Sequence, residues 1–265
     1  MLQYPQSVFQ PIALPDRNRG ITVKNDRSFY REFFTLYVAL VLQNVVTLSV
    51  NLTDNIMLGA YSETSLAGVA AANQIQFVYQ MLLNGFGEGM VILGSQYWGK
   101  RQTGPMKRIA AMTMQHGLIV MMLLFLVISF FPQWAIGLFT TDQPIIAEGA
   151  SYLSIIRFTY IFFAVTQLLL AILRSTQVVK IALYLSAMAF FVNCGINYVL
   201  IFGNFGAPEL GTAGAAVGTL AARILETTVL ILYIIKTEKN LRMKLRDFFH
   251  FDKTLWKDYM KVTLP

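Results

Sequence analysis

The sequence predicts an all-α integral membrane protein whose core is a six-helix transmembrane bundle. Of its 265 residues, 55% are hydrophobic and only 13% are charged, about half the charged share of a soluble domain. Six long segments concentrate these apolar residues. The same composition excludes a disordered chain, and the single cysteine, Cys194, excludes a disulfide-stabilised secreted scaffold.

Each of the six segments supplies the roughly 20 mostly apolar residues that a membrane-crossing helix needs. They cover residues 33–57, 66–97, 109–131, 149–173, 181–202 and 212–235. The sequence therefore divides into a tail, a six-helix lobe, a linker and the start of a further helix. These four parts are residues 1–32, 33–235, 236–261 and 262–265.

The parts outside the lobe have compositions of their own. Residues 1–32 contain three prolines and mixed charges around no apolar core, which indicates a cytoplasmic tail and not a signal peptide. Residues 236–261 mix charged and aromatic side chains, a pattern typical of an amphipathic segment at the cytoplasmic membrane interface. Residues 262–265 resemble the opening of a seventh helix, which we expect to be truncated.

Basic residues predict the orientation. Lysine and arginine occur in the tail, between spans two and three, between spans four and five, and after span six, whereas the other three loops contain none. Because cytoplasmic loops are enriched in basic residues, we expect a multi-pass protein of the plasma (inner) membrane with a cytoplasmic N-terminus. The net charge of +7 then reflects topology and anionic membrane lipid. No nucleic-acid partner is expected, since aromatic and basic residues are not interleaved.

Polar side chains recur at helical spacing within four of the spans, where each is costly unless it faces a partner or water. They are Gln43, Thr47, Asn51 and Asp54 on span one, Asn73, Gln76, Gln80, Asn84 and Glu88 on span two, Asn193 and Asn197 on span five, and Thr219, Arg223 and Glu226 on span six. Hydrogen bonding between packed helices explains one such residue. Four stripes favour a shared, water-filled cavity, and hence a transporter or channel. The predicted substrate cavity comprises Gln43, Thr47, Asn51, Gln76, Gln80, Asn84 and Glu88.

Two carboxylates within the spans are candidates for chemistry. Asp54, with nearby amide and hydroxyl oxygens, supplies the ligands of a hard cation or of a proton that binds and leaves; simple solvation at the outer loop is the alternative. Glu88, flanked by glycines, is interpreted as a proton carrier or an anchor for a cationic substrate. The alternative is a structural ion pair with Arg157 or Arg223.

Several motifs are absent from the sequence. It contains no Walker motif, no metal-ligand cluster of His and Cys, and no nucleophile elbow. We therefore expect neither an enzyme nor an ATP-driven pump, and no cofactor.

Short segments in order along the chain resemble motifs of the multidrug and toxic compound extrusion (MATE) family. They are residues 54–59 (DNIMLG), 66–69 (LAGV), 94–99 (GSQYWG), 138–142 (LFTTD), 206–211 (GAPELG) and 214–219 (GAAVGT). The resemblance extends from about residue 33 to the end. It implies a secondary transporter that exports organic, often cationic, compounds by antiport with sodium or protons.

The resemblance also implies an architecture and a site. The family fold has twelve helices in two six-helix lobes with a cavity between them, so this chain corresponds to the first lobe and linker, and a second six-helix lobe is the missing partner. The family's cation-site positions match Asp54, Asn193, Asn197 and Thr219. Two alternatives remain open: a lipid-linked saccharide flippase, which should carry more basic cavity residues than Arg157 and Arg223, and a transport-inactive membrane lobe.

Overall fold

The computed structural model describes residues 27–238 and 253–263, and within these residues the chain forms helices and no strand. The helices are α1 (Arg27–Tyr61), α2 (Glu63–Gly99), α3 (Thr103–Phe130), α4 (Pro132–Gly137), α5 (Gln143–Ile156), α6 (Thr159–Ser175), α7 (Lys180–Phe202), α8 (Gly211–Thr237) and α9 (Lys253–Thr263). Residues 1–35 and 36–265 form separate units. The first unit is described only from residue 27, as helix, and all contacts below lie within the second.

Four helices in the described ranges are long and apolar enough to cross a membrane: α1, α3, α7 and α8. The bent pair α5 and α6 gives a fifth candidate. Helix α2 has 37 residues, but the polar stripe from Asn73 to Glu88 lowers its hydropathy. The predicted helical membrane architecture is confirmed, while the division into six spans stays a prediction.

The span predicted over residues 149–173 is not a single straight helix in the structure. The structure has two helices there, α5 and α6, bent by 58° at Arg157 and Phe158. Arg157 Nη1 donates to the Ser129 carbonyl (3.5 Å), and its guanidinium lies over the Phe158 ring (5.0 Å). Hydrogen bonds from Phe158 N to Ile155 O and from Tyr160 N to Arg157 O tighten the chain into short turns at the break. Neither Gly nor Pro marks this position in the sequence.

Helix α2 packs against α3, α5 and α6, and glycine permits the closest of these approaches. A Cβ on Gly68 would lie 2.7 Å from Gly149 N, and one on Gly149 would lie 2.9 Å from Gly68 O. The backbones of α2 and α5 are therefore in direct contact, as small residues allow in membrane helices. Further along α2, Tyr79 donates its buried hydroxyl to the Tyr160 carbonyl of α6 (2.8 Å).

Helices α7 and α8 form an antiparallel hairpin that positions the polar residues of spans five and six. Gly203, with φ of 67°, ends α7 in the left-handed conformation that favours glycine. A Cβ on Gly214 would lie 2.7 Å from the Leu200 carbonyl, and Gly218 lies directly against the Asn197 side chain. These glycines bring α8 close enough for Thr219 to reach Asn193 of α7.

Helix α9 is amphipathic and lies against α2 and α3. Leu255, Tyr259 and Thr263, spaced four residues apart, are buried, while the lysines of the helix are exposed. Tyr259 donates to the Phe86 carbonyl (3.0 Å), and burial raises the pKa of its phenol. Trp256 Nε1 donates to His116 Nε2 (3.3 Å), and the other ring nitrogen of His116 donates to the Met112 carbonyl (2.7 Å).

The bounds of α9 differ from the predicted division of the chain. The helix runs through the predicted end of the linker at residue 261 and continues to Thr263. No separate helix therefore begins at residue 262. Linker residues 239–252 and the last two residues, 264 and 265, lie outside the described residues.

Candidate functional site

Asp54 of α1 lies beside two asparagines of α7. Asn197 Nδ2 donates to Asp54 Oδ1 (2.7 Å) and to Asn193 Oδ1 (3.3 Å). Asn193 Nδ2 in turn donates to Thr219 Oγ1 of α8 (3.1 Å). Side chains from three helices thus form one continuous hydrogen-bonded chain, called here the Asp54 cluster: Asp54, Asn197, Asn193 and Thr219. The structure brings together the four residues that the resemblance placed at a cation site.

The asparagines of the Asp54 cluster are held tightly. Asn193 and Asn197 share one face of α7 because they are four residues apart, and their exposed fractions are 1% and 0%. The Asn197 Oδ1 atom is buried and has no hydrogen-bond partner within the described residues. Such an unpaired buried acceptor costs free energy, and in a native protein it calls for an explanation.

The arrangement of oxygens in the Asp54 cluster is suited to a cation. Asp54 Oδ1 and Asn193 Oδ1 both approach the same atom, Asn197 Nδ2. Rotation of the Asn197 amide group exchanges Nδ2 with the unpaired Oδ1, which would turn a third oxygen toward the same point. One carboxylate with neutral oxygens is a ligand set for a hard cation. The described residues contain no group of three or more His, Cys, Asp or Glu that could hold a metal ion.

A cavity of about 530 Å³ lies beside the Asp54 cluster and is lined by helices α1, α2, α5, α6, α7 and α8. Asp54 and Thr219 line it, whereas Asn193 and Asn197 are buried outside its lining. Five of the residues expected in a substrate cavity line it as well: Gln43, Thr47, Asn51, Gln76 and Gln80. One carboxylate therefore belongs both to the cluster and to the wall of the cavity.

Asn84 and Glu88, which were expected on the same wall, lie outside this cavity. Both are exposed, because the stripe on α2 faces the cavity only as far as Gln80. Glu88 Oε1 pairs with Arg174 Nη1 of α6 (3.6 Å), and the two side chains are 58% and 30% exposed. The expectation of a cavity-lining Glu88 is corrected, and so are its expected alternative partners. Of these, Arg223 pairs with Glu226 (2.6 Å).

Several cavity residues were not predicted. Gln167 of α6 lines the cavity, and a glutamine within an apolar span is the same signal that led to Gln43, so the sequence contained the means to find it. Aromatic lining residues carry no such signal, since aromatics are common throughout these spans. They are Phe77, Tyr152, Tyr160 and Phe163.

Together, the apolar helices and the polar cavity with a carboxylate in its wall define a helical integral membrane protein. The MatE family model matches residues 39–199, which is more than half of the chain. The chain belongs to the MATE family.

Two curated relatives are named as probable multidrug resistance proteins. The probable multidrug resistance protein NorM of Rhizobium meliloti (strain 1021) is 28% identical over 249 residues, covering 91% of this chain and 52% of the relative. Its namesake from Streptococcus pneumoniae (strain ATCC BAA-255 / R6) is 29% identical over 243 residues, covering 88% and 51%. The chain therefore spans about half the length of the curated relatives it matches.

The solved structures agree on the fold. A crystal structure of a MATE protein in the bent conformation aligns with a TM-score of 0.78 at 19% identity, over 89% of this chain and 52% of that chain. A multidrug resistance MATE transporter in an outward-facing conformation aligns with a TM-score of 0.74 at 20% identity, over 88% and 51%. The described helices thus have the fold of one half of a MATE transporter.

Proposed function

We propose that this chain is the cation-binding lobe of a secondary active transporter of the plasma membrane. In this proposal the whole protein exports organic, often cationic, compounds by antiport with sodium or protons. The observation that carries the proposal is the Asp54 cluster beside the cavity, with Asp54 itself in the cavity wall. The second six-helix lobe is the proposed partner, and the N-terminus is proposed to be cytoplasmic.

The position of Asp54 supplies a mechanism for antiport. Its carboxylate accepts from Asn197 on one side and lines the cavity on the other. A sodium ion or proton bound in the Asp54 cluster neutralises the negative charge of Asp54, and this charge is what would attract an organic cation into the cavity. Binding of the two cations is therefore mutually unfavourable, and each promotes release of the other.

The composition of the cavity supports an organic substrate. Eight amide side chains line it, together with aromatic rings, so it offers hydrogen bonds and apolar surface, a mixture usual for small-molecule sites. The eight are Gln43, Asn51, Asn55, Asn73, Gln74, Gln76, Gln80 and Gln167. Arg223 lines the cavity but is paired with Glu226, which leaves little free positive charge for the phosphates of a flippase substrate.

Transport by everted membrane vesicles tests the proposal. A sodium or proton gradient imposed on vesicles that contain the whole transporter should drive accumulation of a fluorescent organic cation such as ethidium. The Asp54→Asn variant keeps the shape of the side chain and removes its charge, so it should lose at least about 90% of this accumulation. The matched control is Asp142→Asn, at an exposed position outside the cavity, which should transport normally. Normal transport by Asp54→Asn vesicles would contradict the proposal.

A further inference from the structure

A partly buried ion pair lies one helical turn from the Asp54 cluster. Arg223 Nη1 and Glu226 Oε2 of α8 are 2.6 Å apart, and their side chains are 24% and 4% exposed. Arg223 follows Thr219 by four residues on the same helix face. Its guanidinium also lies 5.2 Å from the centre of the Phe163 ring. The cavity thus contains an acidic group, Glu226, that the proposed antiport does not use.

The ion pair and the Asp54 cluster share a small side chamber. A space of about 30 Å³ is lined by Asn193 and Thr219 of the cluster and by both members of the ion pair. This is enough room for a water molecule. The Glu226 carboxylate therefore faces the same chamber as two neutral ligands of the proposed cation site.

Charge in this chamber acts strongly because it is poorly screened. Interactions between charges are several-fold stronger at a partly buried site than in bulk water. Arg223 repels a cation bound at Asp54, and Glu226 attracts one. While they are paired the two effects largely cancel, so Asp54 supplies the net charge of the site.

We propose that Arg223 and Glu226 determine the affinity and valence selectivity of the cation site. Arg223 holds the Glu226 carboxylate away from the bound ion and keeps the net charge of the site at minus one, which suits a monovalent ion. Glu226 is a second acidic group that could bind the ion, and its pairing with Arg223 prevents it from doing so. The inference rests on the proposed function, because it takes the Asp54 cluster to be a cation site.

The two single variants should change ion affinity in opposite directions. Arg223→Gln releases the Glu226 carboxylate toward the chamber, so the affinity for the coupling ion should rise about tenfold or more. Two carboxylates also suit a divalent ion, so this variant should gain calcium binding. Glu226→Gln leaves the arginine charge uncompensated and should lower the affinity about tenfold. The double variant should return to within about threefold of the wild type.

A purely structural ion pair predicts a different pattern. Breaking either side would destabilise the lobe and lower the affinity in both single variants. Arg223→Lys separates the two explanations, because it keeps the charge while changing the shape of the side chain. Under our proposal this variant keeps near-normal affinity and gains no calcium binding, even if its melting temperature falls.

Ion-dependent thermal stabilisation of the purified protein measures these affinities, because an ion that binds only the folded state stabilises it by RT ln(1 + [ion]/Kd). Sodium chloride is titrated against N-methyl-D-glucamine chloride, protons by pH titration without sodium, and calcium separately. Opposite shifts in Arg223→Gln and Glu226→Gln support the inference, and shifts of the same sign, or no shifts, overturn it. Asp54→Asn is the separating arm. If Asp54→Asn responds to the ion like the wild type, the proposed cation site is contradicted. If Asp54→Asn loses the response while the Arg223 and Glu226 variants keep wild-type affinity, only the further inference is overturned.

Discussion

Asn197 donates a hydrogen bond of 2.7 Å to Asp54 across 143 residues of sequence. This bond fastens α1 to the α7–α8 hairpin at the wall of the cavity. On the α8 side, Gly218 lies directly against the Asn197 side chain, so we expect the bond to depend on the close approach of α8. The geometry of the proposed cation site is therefore sensitive to a residue that is not itself a ligand.

Gly218→Ala tests this dependence. The added methyl group would collide with the Asn197 amide, so we expect a loss of about 1–3 kcal/mol in stability and a weaker response to the coupling ion. Gly195→Ala is the matched control on α7, because a Cβ there meets nothing within 4 Å. The control should keep its ion response and gain up to about 1 kcal/mol, as alanine favours helix. Equal ion responses in the two variants would argue against the role of Gly218.

Gly68→Ala tests the contact between α2 and α5. Because the obstructing atoms at Gly68 include the backbone of Gly149, the helices must separate, and we expect a loss of about 1–3 kcal/mol or more. Gly104→Ala, where the surroundings are open, should cause little change. Thermal unfolding followed by circular dichroism measures both, and similar melting temperatures would contradict the contact between α2 and α5.

Gly89→Ala tests the docking of α9. A Cβ at Gly89 would collide with the Thr263 side chain and lie 3.1 Å from Tyr259, so α9 should loosen from α2. Gly85→Ala, where the nearest atom of α9 is 3.8 Å away, is the control on the same helix. Hydrogen exchange of α9 should accelerate in the first variant alone. Unchanged protection in Gly89→Ala would contradict the docked position.

Glu88→Gln tests the corrected role of Glu88. Its ion pair with Arg174 is largely exposed, and exposed pairs contribute about 0–1 kcal/mol. We therefore expect a small change in melting temperature and an unchanged response to the coupling ion. A shift in ion affinity similar to that of Asp54→Asn would show that Glu88 takes part in binding the coupling ion.

Cysteine labelling tests the predicted orientation. In a Cys194→Ser background, cysteine replaces either Gln143 or Gln102, both of which are exposed. An impermeant maleimide added to intact cells should label the first site and leave the second unmodified. The reverse pattern would invert the topology.

Much of the fold and the polar faces of single helices could be predicted from the sequence because polar residues in apolar helices are rare and costly, whereas the grouping of Asp54, Asn193, Asn197 and Thr219 into one site came from the family resemblance. The polar residues from Gln43 to Asp54 are spaced by four and three residues, which places them on one helix face. Asn193 and Asn197, four residues apart, share a face for the same reason. These regularities lie within single helices, where sequence spacing determines direction.

Contacts between helices could not be predicted in this way. The pairing of Glu88 with Arg174 depends on how α6 lies against α2, and the spacing within either helix carries no information on it. The break at Arg157 is equally hidden, since no Gly or Pro lies beside it and the Arg157 side chain contacts the Ser129 carbonyl of another helix. Sequence spacing also predicted the polar stripe from Asn73 to Glu88 on α2, but not that only the part as far as Gln80 lines the cavity.

Competition between the coupling ion and an organic cation tests the central claim, that one carboxylate serves both. Ethidium binding to the purified protein is followed by fluorescence polarisation while sodium or proton concentration is raised. If Asp54 is shared, the apparent Kd of ethidium should rise in proportion to ion concentration above the Kd of the ion, and Asp54→Asn should abolish this dependence. An ethidium Kd that stays constant as the ion saturates the wild-type protein would contradict the account.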